Sequence, residues 1–354
     1  MSNLQDRIEA FVKLGKFLNQ FSSYNAKKDA EVYHNDLFFS LFKSQIKLAQ
    51  EQNNWFSEDN IYFAISQWAD LLKKEKLDNW TNNYNFNENS SSKTVAVVMA
   101  GNIPLVGFHD FLSVIISGHS IIVKQSTNDK HLLPLISKYL EHVEPSLKGS
   151  VFFTTDKLEN FDAVIATGSN NTARYFEYYF RKKPAIIRKN RNSVAVLTGD
   201  ETEEQLTALG EDIFRYYGLG CRNVSKLLVP ENYNFDTFFK AIYPFNNIMN
   251  SQKYANNYDY NKAVYLMSQF ELLENGFLML KEDENYGSPI ATIFYEKYTN
   301  KEHLNKLLAN AEDKIQCVVS QGIFENEVSF GKTQQPQLQD YADSVDTIEF
   351  LLKI

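Results

Sequence analysis

Cysteine is nearly absent. The 354 residues hold two, Cys221 and Cys317, far apart in sequence. Two such thiols cannot build a disulfide framework, so the chain is expected in the reducing cytoplasm, where a lone thiol can be catalytic. Positive charge is in deficit, with 36 Lys and Arg against 44 Asp and Glu and a net charge of −8. That balance argues against nucleic acid as the main partner, since binding there needs a broad basic surface. The six histidines (His34, His109, His119, His131, His142 and His303) form no cluster with metal-ligand spacing, so no metal is expected. Met1 to Asp6 lacks a basic region followed by an apolar run, and no secretory signal is read. No membrane span is expected either. Thr94 to Gly118 is apolar over much of its length but carries Asn102, Pro104, His109 and Asp110 near its middle, which hydrocarbon penalises. There is no internal repeat.

What is present is ordinary globular material, 44% hydrophobic and 23% charged, long enough for two domains or one large α/β domain. Residues 2–80 read as mostly helical, with Ile8, Phe11, Val12 and Leu18 on one face and Trp55, Trp68 and Trp80 as core anchors. The polar run Thr81 to Ser92 reads as a loop or linker. Strands then alternate with helices. Val95–Ala100, Ser120–Lys124, Ser150–Thr154, Ala163–Thr167 and Ser193–Leu197 are strands; helices are expected near Leu105–Ser117, His131–Val143 and from Gly168-Ser169 through Phe180. Such alternation implies a doubly wound parallel sheet. A boundary is placed after the strand at Ser193–Leu197, giving a 1–198 domain (helical lead-in 1–90, Rossmann-like 94–198) joined by the tail 330–354. Strands such as Lys226–Val229 and helices such as Asp236–Ile242 make 199–329 a second α/β domain.

The stretch around which the chain is organised is Tyr217-Gly218-Leu219-Gly220-Cys221-Arg222-Asn223. An amphipathic helix is predicted from about Glu203 to Tyr217, stopped by Gly218. Gly220 then lets Cys221 sit on a bend, where a thiol and its own N–H can face a cleft, as thioester chemistry requires. The alternative is a buried structural cysteine. Cys317, in an apolar strand-like run, reads as packing. Asn102, in Gly101-Asn102-Ile103-Pro104, lies where a parallel strand ends, the edge on which open α/β sheets bind ligands. It could donate to an oxyanion or cap the following helix. Lys124 and Ser126 lie at another strand end, suited to a cofactor's ribose or phosphate, with a solvated lysine as the alternative. Thr167-Gly168-Ser169 bridges strand and helix, where first-turn N–H groups can receive a pyrophosphate. The run Arg181 to Arg191 concentrates positive charge, either for a phosphorylated group or as a solvated helix end. His109 is expected on a helix surface.

In this order, these residues resemble the aldehyde dehydrogenase superfamily. Gly101-Asn102-Ile103-Pro104 is similar to its Trp-Asn-Phe-Pro element, and Ile121 to Ser126 to its ribose-binding strand. Thr167-Gly168-Ser169 is similar to its cofactor-helix turn, and Gly220-Cys221 to its cysteine motif. Phe330-Gly331-Lys332-Thr333-Gln334-Gln335-Pro336, with Leu338 and Asp340 to Asp343, resembles the LuxC-like acyl-CoA reductases, the fatty acid reductase subunits of bacterial luminescence. The resemblance covers roughly residues 94–350 and implies an aldehyde-dehydrogenase-like fold with Cys221 as nucleophile. It also implies that Asn102 and the Cys221 N–H form the oxyanion hole, and that Lys124, Ser126, Thr167, Gly168 and Ser169 hold the cofactor. Ile187 stands where aldehyde oxidisers carry the glutamate that activates water, which suits reduction of an acyl-enzyme. Ala173 replaces a glycine of the cofactor helix. Thr127 stands near a ribose-binding glutamate of NAD-preferring relatives, so NADPH is expected, NADH not being excluded. The expected partner is acyl-CoA or an enzyme-bound acyl group. The short chain leaves little room for the superfamily's long oligomerisation hairpin, which argues against its usual tetramer, and homo-oligomerisation stays open. Acyl phosphate reduction, aldehyde oxidation and a non-catalytic nucleotide-binding subunit are the alternatives.

Overall fold

The computed structural model describes residues 3–86 and 91–354. Part of the expected linker at 81–92, and Met1 and Ser2 of the opening segment, lie outside the described residues. Two compact units divide the chain, one of residues 1–189 with 337–354 and one of 190–336.

In the first unit, α1 (Leu4–Asn19), α2 (Asn35–Gln52), α3 (Glu58–Leu71) and α4 (Lys74–Thr81) precede the sheet. Asn3 caps α1 through Asp6 and Ser57 caps α3 through Asn60, satisfying first-turn donors. There follow β1 (Thr94–Val98), α5 (Phe108–Ile116), β2 (Ser120–Lys124), α6 (Leu132–Val143), β3 (Val151–Phe153), β4 (Ala163–Thr167), α7 (Asn170–Phe180) and β5 (Ala185–Arg188). The sheet order is β3-β2-β1-β4-β5, and every pairing is parallel. Strand β1 shows why a continuous apolar run belongs here. Val95 and Val97 pack with the helices of the large core, whereas Ala96 joins Val164, Ala166, Phe176 and Phe180 on the other face. A strand covered on both faces has no polar side to alternate with.

The second unit is built the same way. It holds β6 (Asn192–Val196), α8 (Glu203–Phe214), β7 (Val224–Pro230), α9 (Phe235–Ala241), α10 (Gln252–Met267) and β8 (Leu272–Glu274). After these come β9 (Met279–Glu282), β10 (Thr292–Tyr298), α11 (Lys301–Ala309) and β11 (Ile315–Val319). Its order is β11-β6-β7-β10-β9-β8, parallel except for the β8–β9 pair. Ala195, Leu227 and Val229 pack beneath α8 and α9, while Val196 and Leu228 meet Leu304 of α11. The tail helix α12 (Thr347–Leu352) returns to the first unit. No helix among the described residues is long and apolar enough to cross a membrane.

Three expectations need correcting. The helix before the Cys221 stretch ends at Phe214 rather than Tyr217, because Tyr216 and Tyr217 take left-handed backbone conformations, φ 55° and 58°. His109 is half-buried rather than standing free on the helix surface. It is wedged against the rings of Trp68, Trp80 and Tyr341, and its Nε2 lies 2.9 Å from the Leu338 carbonyl. Desolvation accordingly lowers its pKa. The basic run is not a free phosphate-binding surface along its length. Arg188 is buried against Asp110 and Thr347, Lys189 pairs with Glu177, and Arg191 donates to the carbonyls of Glu312 and Ile315.

Candidate active site

Cys221 is exposed, on a turn between α8 and β7 that is anchored residue by residue. The Gly220 N–H donates to Asn223 Oδ1 at 2.8 Å. Ser193, fully buried on β6, donates its hydroxyl to the Cys221 carbonyl at 3.1 Å. Arg222 Nε donates to the Thr333 carbonyl at 2.7 Å. The Asn223 amide nitrogen reaches the carbonyls of Asp212, Ile213 and Arg215 at 2.9, 3.4 and 2.8 Å. One buried side chain thus gathers carbonyls at the C-terminal end of α8, which have no helical partners. Holding two tyrosines left-handed is costly, of order 1–3 kcal/mol each, and such strain persists only where the surroundings over-determine it.

A second strap comes from Phe330 to Thr333. The buried Asp212 carboxylate accepts the Gly331 N–H at 2.6 Å and the Thr333 N–H at 2.9 Å. Burial pushes its pKa up to about 6, against the downward pull of those donors. The Phe-Gly-Lys-Thr segment therefore braces the turn from a distant part of the chain.

In the first unit, the other expected site residues gather on one edge. Parallel strands β2, β1 and β4 are neighbours, so the loops leaving their C-terminal ends lie side by side. Those loops and strand ends carry Lys124 and Ser126, Asn102, and Thr167 to Ser169. Gly101 is needed for a close approach, since a Cβ there would lie 2.4 Å from Ser126 Oγ and 2.5 Å from its Cβ. The loop after β1 thus rests on the loop after β2. Asp129 ties the same two loops, its Oδ2 accepting the N–H of Leu105, itself left-handed at φ 57°. Burial pushes the Asp129 carboxyl up to about 7. Asn102 is exposed and does not cap α5, whose N-cap is Gly107. Lys124 Nζ donates to the Asp156 carbonyl at 2.9 Å. Ser126 Oγ accepts the Asn128 N–H. Ser169 caps α7 by accepting the Thr172 N–H at 3.3 Å, and Ala173 is the one buried residue of that helix. Ile187 packs with the small cluster around Ala96.

Sequence reading misses Ser193, Asp212, Asn223 and Asp129. Asn223 carries the only local signal, a turn-favouring amide two residues after Gly-Cys; the others act through partners remote in sequence.

This arrangement of a parallel sheet and a second, mostly parallel sheet, each covered by helices, is the aldehyde dehydrogenase fold. Solved relatives include aldehyde dehydrogenase 21 from Physcomitrella patens in complex with succinate, 12% identical with a TM-score of 0.69. That match covers 99% of this chain and 84% of that one. The NAD+ complex of an aldehyde dehydrogenase from Bacillus cereus is 12% identical, with a TM-score of 0.61, over 90% of this chain and 72% of that one. None of the curated proteins matches the chain. The family model of acyl-CoA reductase (LuxC) matches residues 17–242, well over half of the chain. The chain belongs to the LuxC acyl-CoA reductase family, and so is an oxidoreductase acting on aldehyde or acyl groups.

Proposed function

We propose that the protein is an acyl-CoA reductase that converts a long-chain acyl thioester to an aldehyde through a thioacyl-enzyme on Cys221, using NADPH. The observation that carries this reading is the exposed Cys221 on a turn held at each of its residues. A nucleophile gains most from being pre-positioned, because misplacement by 1 Å can cost about 10²-fold.

Cys221 attacks the thioester carbonyl as a thiolate. The new S–C bond forms and the carbonyl oxygen takes the negative charge; the Cys221 N–H is the donor beside it, and the Asn102 amide is the second donor that the family resemblance implies. Loss of one such donor typically costs about 10²–10³ in rate. Collapse expels coenzyme A as a thiolate of similar basicity to the attacking sulfur, so no dedicated acid is required. Ile187, at the position where the resemblance puts the water-activating glutamate of aldehyde oxidisers, is apolar and packs in an apolar cluster. Lack of that carboxylate supports a reading in which the acyl group passes to hydride rather than to water.

The edge of the first sheet suits a nicotinamide dinucleotide. Gly101 lets two loops close up, Lys124 and Ser126 offer a cation and a hydroxyl, and the α7 N-terminus with Ser169 offers backbone donors. A solved relative of this fold binds NAD+, and Thr127, uncharged where a carboxylate would repel a 2′-phosphate, favours NADPH. When bound, the dinucleotide supplies hydride. Lys124 and Ser126 would orient its ribose, and Thr167 to Ser169 its pyrophosphate.

Mass spectrometry of the intact protein after exposure to an acyl-CoA series without NADPH tests the reading. One acyl adduct, lost in Cys221→Ala, is expected. Acyl-CoA-dependent NADPH oxidation at wild-type rate in Cys221→Ala would end it.

A further inference from the structure

We infer that Ser193 and Cys317 form a hydrogen-bonded prop that sets the position of Cys221, an inference that rests on Cys221 as the nucleophile. Ser193 Oγ lies 3.1 Å from the Cys221 carbonyl and 3.0 Å from Cys317 Sγ. Proton counting fixes the direction. A carbonyl can only accept, so the single Ser193 hydroxyl proton goes to the Cys221 carbonyl. The proton in the other contact is then the Cys317 thiol's, and the chain runs from the Cys317 S–H to Ser193 Oγ, and from the Ser193 O–H to the Cys221 carbonyl.

The backbone is irregular where this prop is built. Pairing of β6 with β7 shifts register between Ser193 and Val194, and pairing of β6 with β11 shifts between Ile315 and Val318, the stretch that holds Cys317. Such irregularities re-aim side chains, often beside active sites. Ser193 opens a stretch of the strand, continued by Val194, Ala195 and Val196, in which every residue is fully buried. A fully buried hydroxyl there is tolerated because both of its roles, donor and acceptor, are filled. The carbonyl it holds belongs to the reactive residue itself, so the prop sets the backbone torsion from which the Cys221 Cα–Cβ bond departs. Ser193 and Cys317 are therefore positioning residues, and the second cysteine has a role beyond packing.

The test measures single-turnover acylation of Cys221 with octanoyl-CoA and hexadecanoyl-CoA in wild type, Ser193→Ala, Cys317→Ala and Cys317→Ser. Thermal melts and iodoacetamide labelling are run alongside. In Ser193→Ala, the acylation rate constant is expected to fall by at least about tenfold at unchanged half-saturating acyl-CoA, with labelling of Cys221 slowed in parallel. Cys317→Ser, which keeps a donor, should acylate as wild type does, and Cys317→Ala should fall between the two. Ser193→Ala acylating at the wild-type rate, or Cys317→Ser losing as much as Cys317→Ala, would overturn the prop. Should Ser193→Ala not fold, Ser193→Cys, of similar size and weaker as a donor, is held to the same threshold. Wild-type protein that acquires no acyl group from either substrate would refute the nucleophile and the prop together, which sets that failure apart.

Discussion

Replacing Asn223 with alanine removes an amide that makes contacts on both sides of the Cys221 turn. It accepts from Gly220 and donates toward the carbonyls of Asp212, Ile213 and Arg215. The residue is almost fully buried, at 2% exposure, so the groups left behind gain little from solvent. One orphaned N–H and the loss of donation to the carbonyls, at about 1–3 kcal/mol per unsatisfied buried group, give a cost of about 3 kcal/mol. For a unit of this size, that lowers the melting temperature by roughly 6–12 °C. Asn223→Asp separates the amide's two ends. Its carboxylate still accepts the Gly220 N–H, but a second oxygen now faces three carbonyls, so at pH 7.5 it should be less stable than Asn223→Ala. The carboxyl introduced by Asn223→Asp would have its pKa raised in the folded state. The folded variant then holds a proton that its unfolded chain has released, so its stability falls as pH rises through and above the ordinary carboxylate range. Melts followed by circular dichroism from pH 4.5 to 8, with reductase activity on the same samples, provide the assay. Asn223→Asp matching or exceeding Asn223→Ala in stability at pH 7.5 would refute the amide's assigned orientation and the anchoring argument with it.

Two further outcomes concern the first unit. Gly101→Ala should destabilise by about 1–3 kcal/mol through its clash with Ser126. Adding Ser126→Gly should recover most of that loss, and a double-mutant cycle by denaturant titration with no coupling would contradict the close approach. The Asp129 carboxyl, raised to about 7 from 3.8, keeps its proton in the folded state where the unfolded chain has lost it. Its contribution to stability therefore declines as pH rises from about 4 to about 7, by about 4 kcal/mol at 1.36 kcal/mol per unit. Asp129→Asn, which still accepts from Leu105, should flatten the stability profile in that window, and an unchanged slope would count against it.

Much of the sheet architecture is legible in the sequence because it is written in local pattern. Ser120–Lys124 and Ala163–Thr167 read as strands with the bounds observed, since short apolar runs ended by Lys-Gln-Ser or Thr-Gly-Ser have few other uses in a parallel sheet. The end of α8 is not legible. Gly218 is a sound stop signal, yet the helix breaks at Phe214 because a side chain nine residues further on draws its last carbonyls aside. His109 and Arg188 are misjudged for the same reason: their partners Leu338 and Thr347 lie in the returning tail, beyond any local window. The candidate cysteine and cofactor-edge residues can be named from motif and resemblance; the supports beneath them require coordinates.

The carboxylate of Asp212 grips a backbone N–H 121 positions downstream, and that distance has a meaning for biogenesis. While the ribosome is still making the intervening strands, the thiol-bearing bend lacks its far strap. At 5–20 residues per second, that interval lasts roughly 6–24 s. The Cys221 bend therefore reaches its braced geometry only after Thr333 has been made, so the bend and its strap mature together, late relative to the helix that carries Asp212.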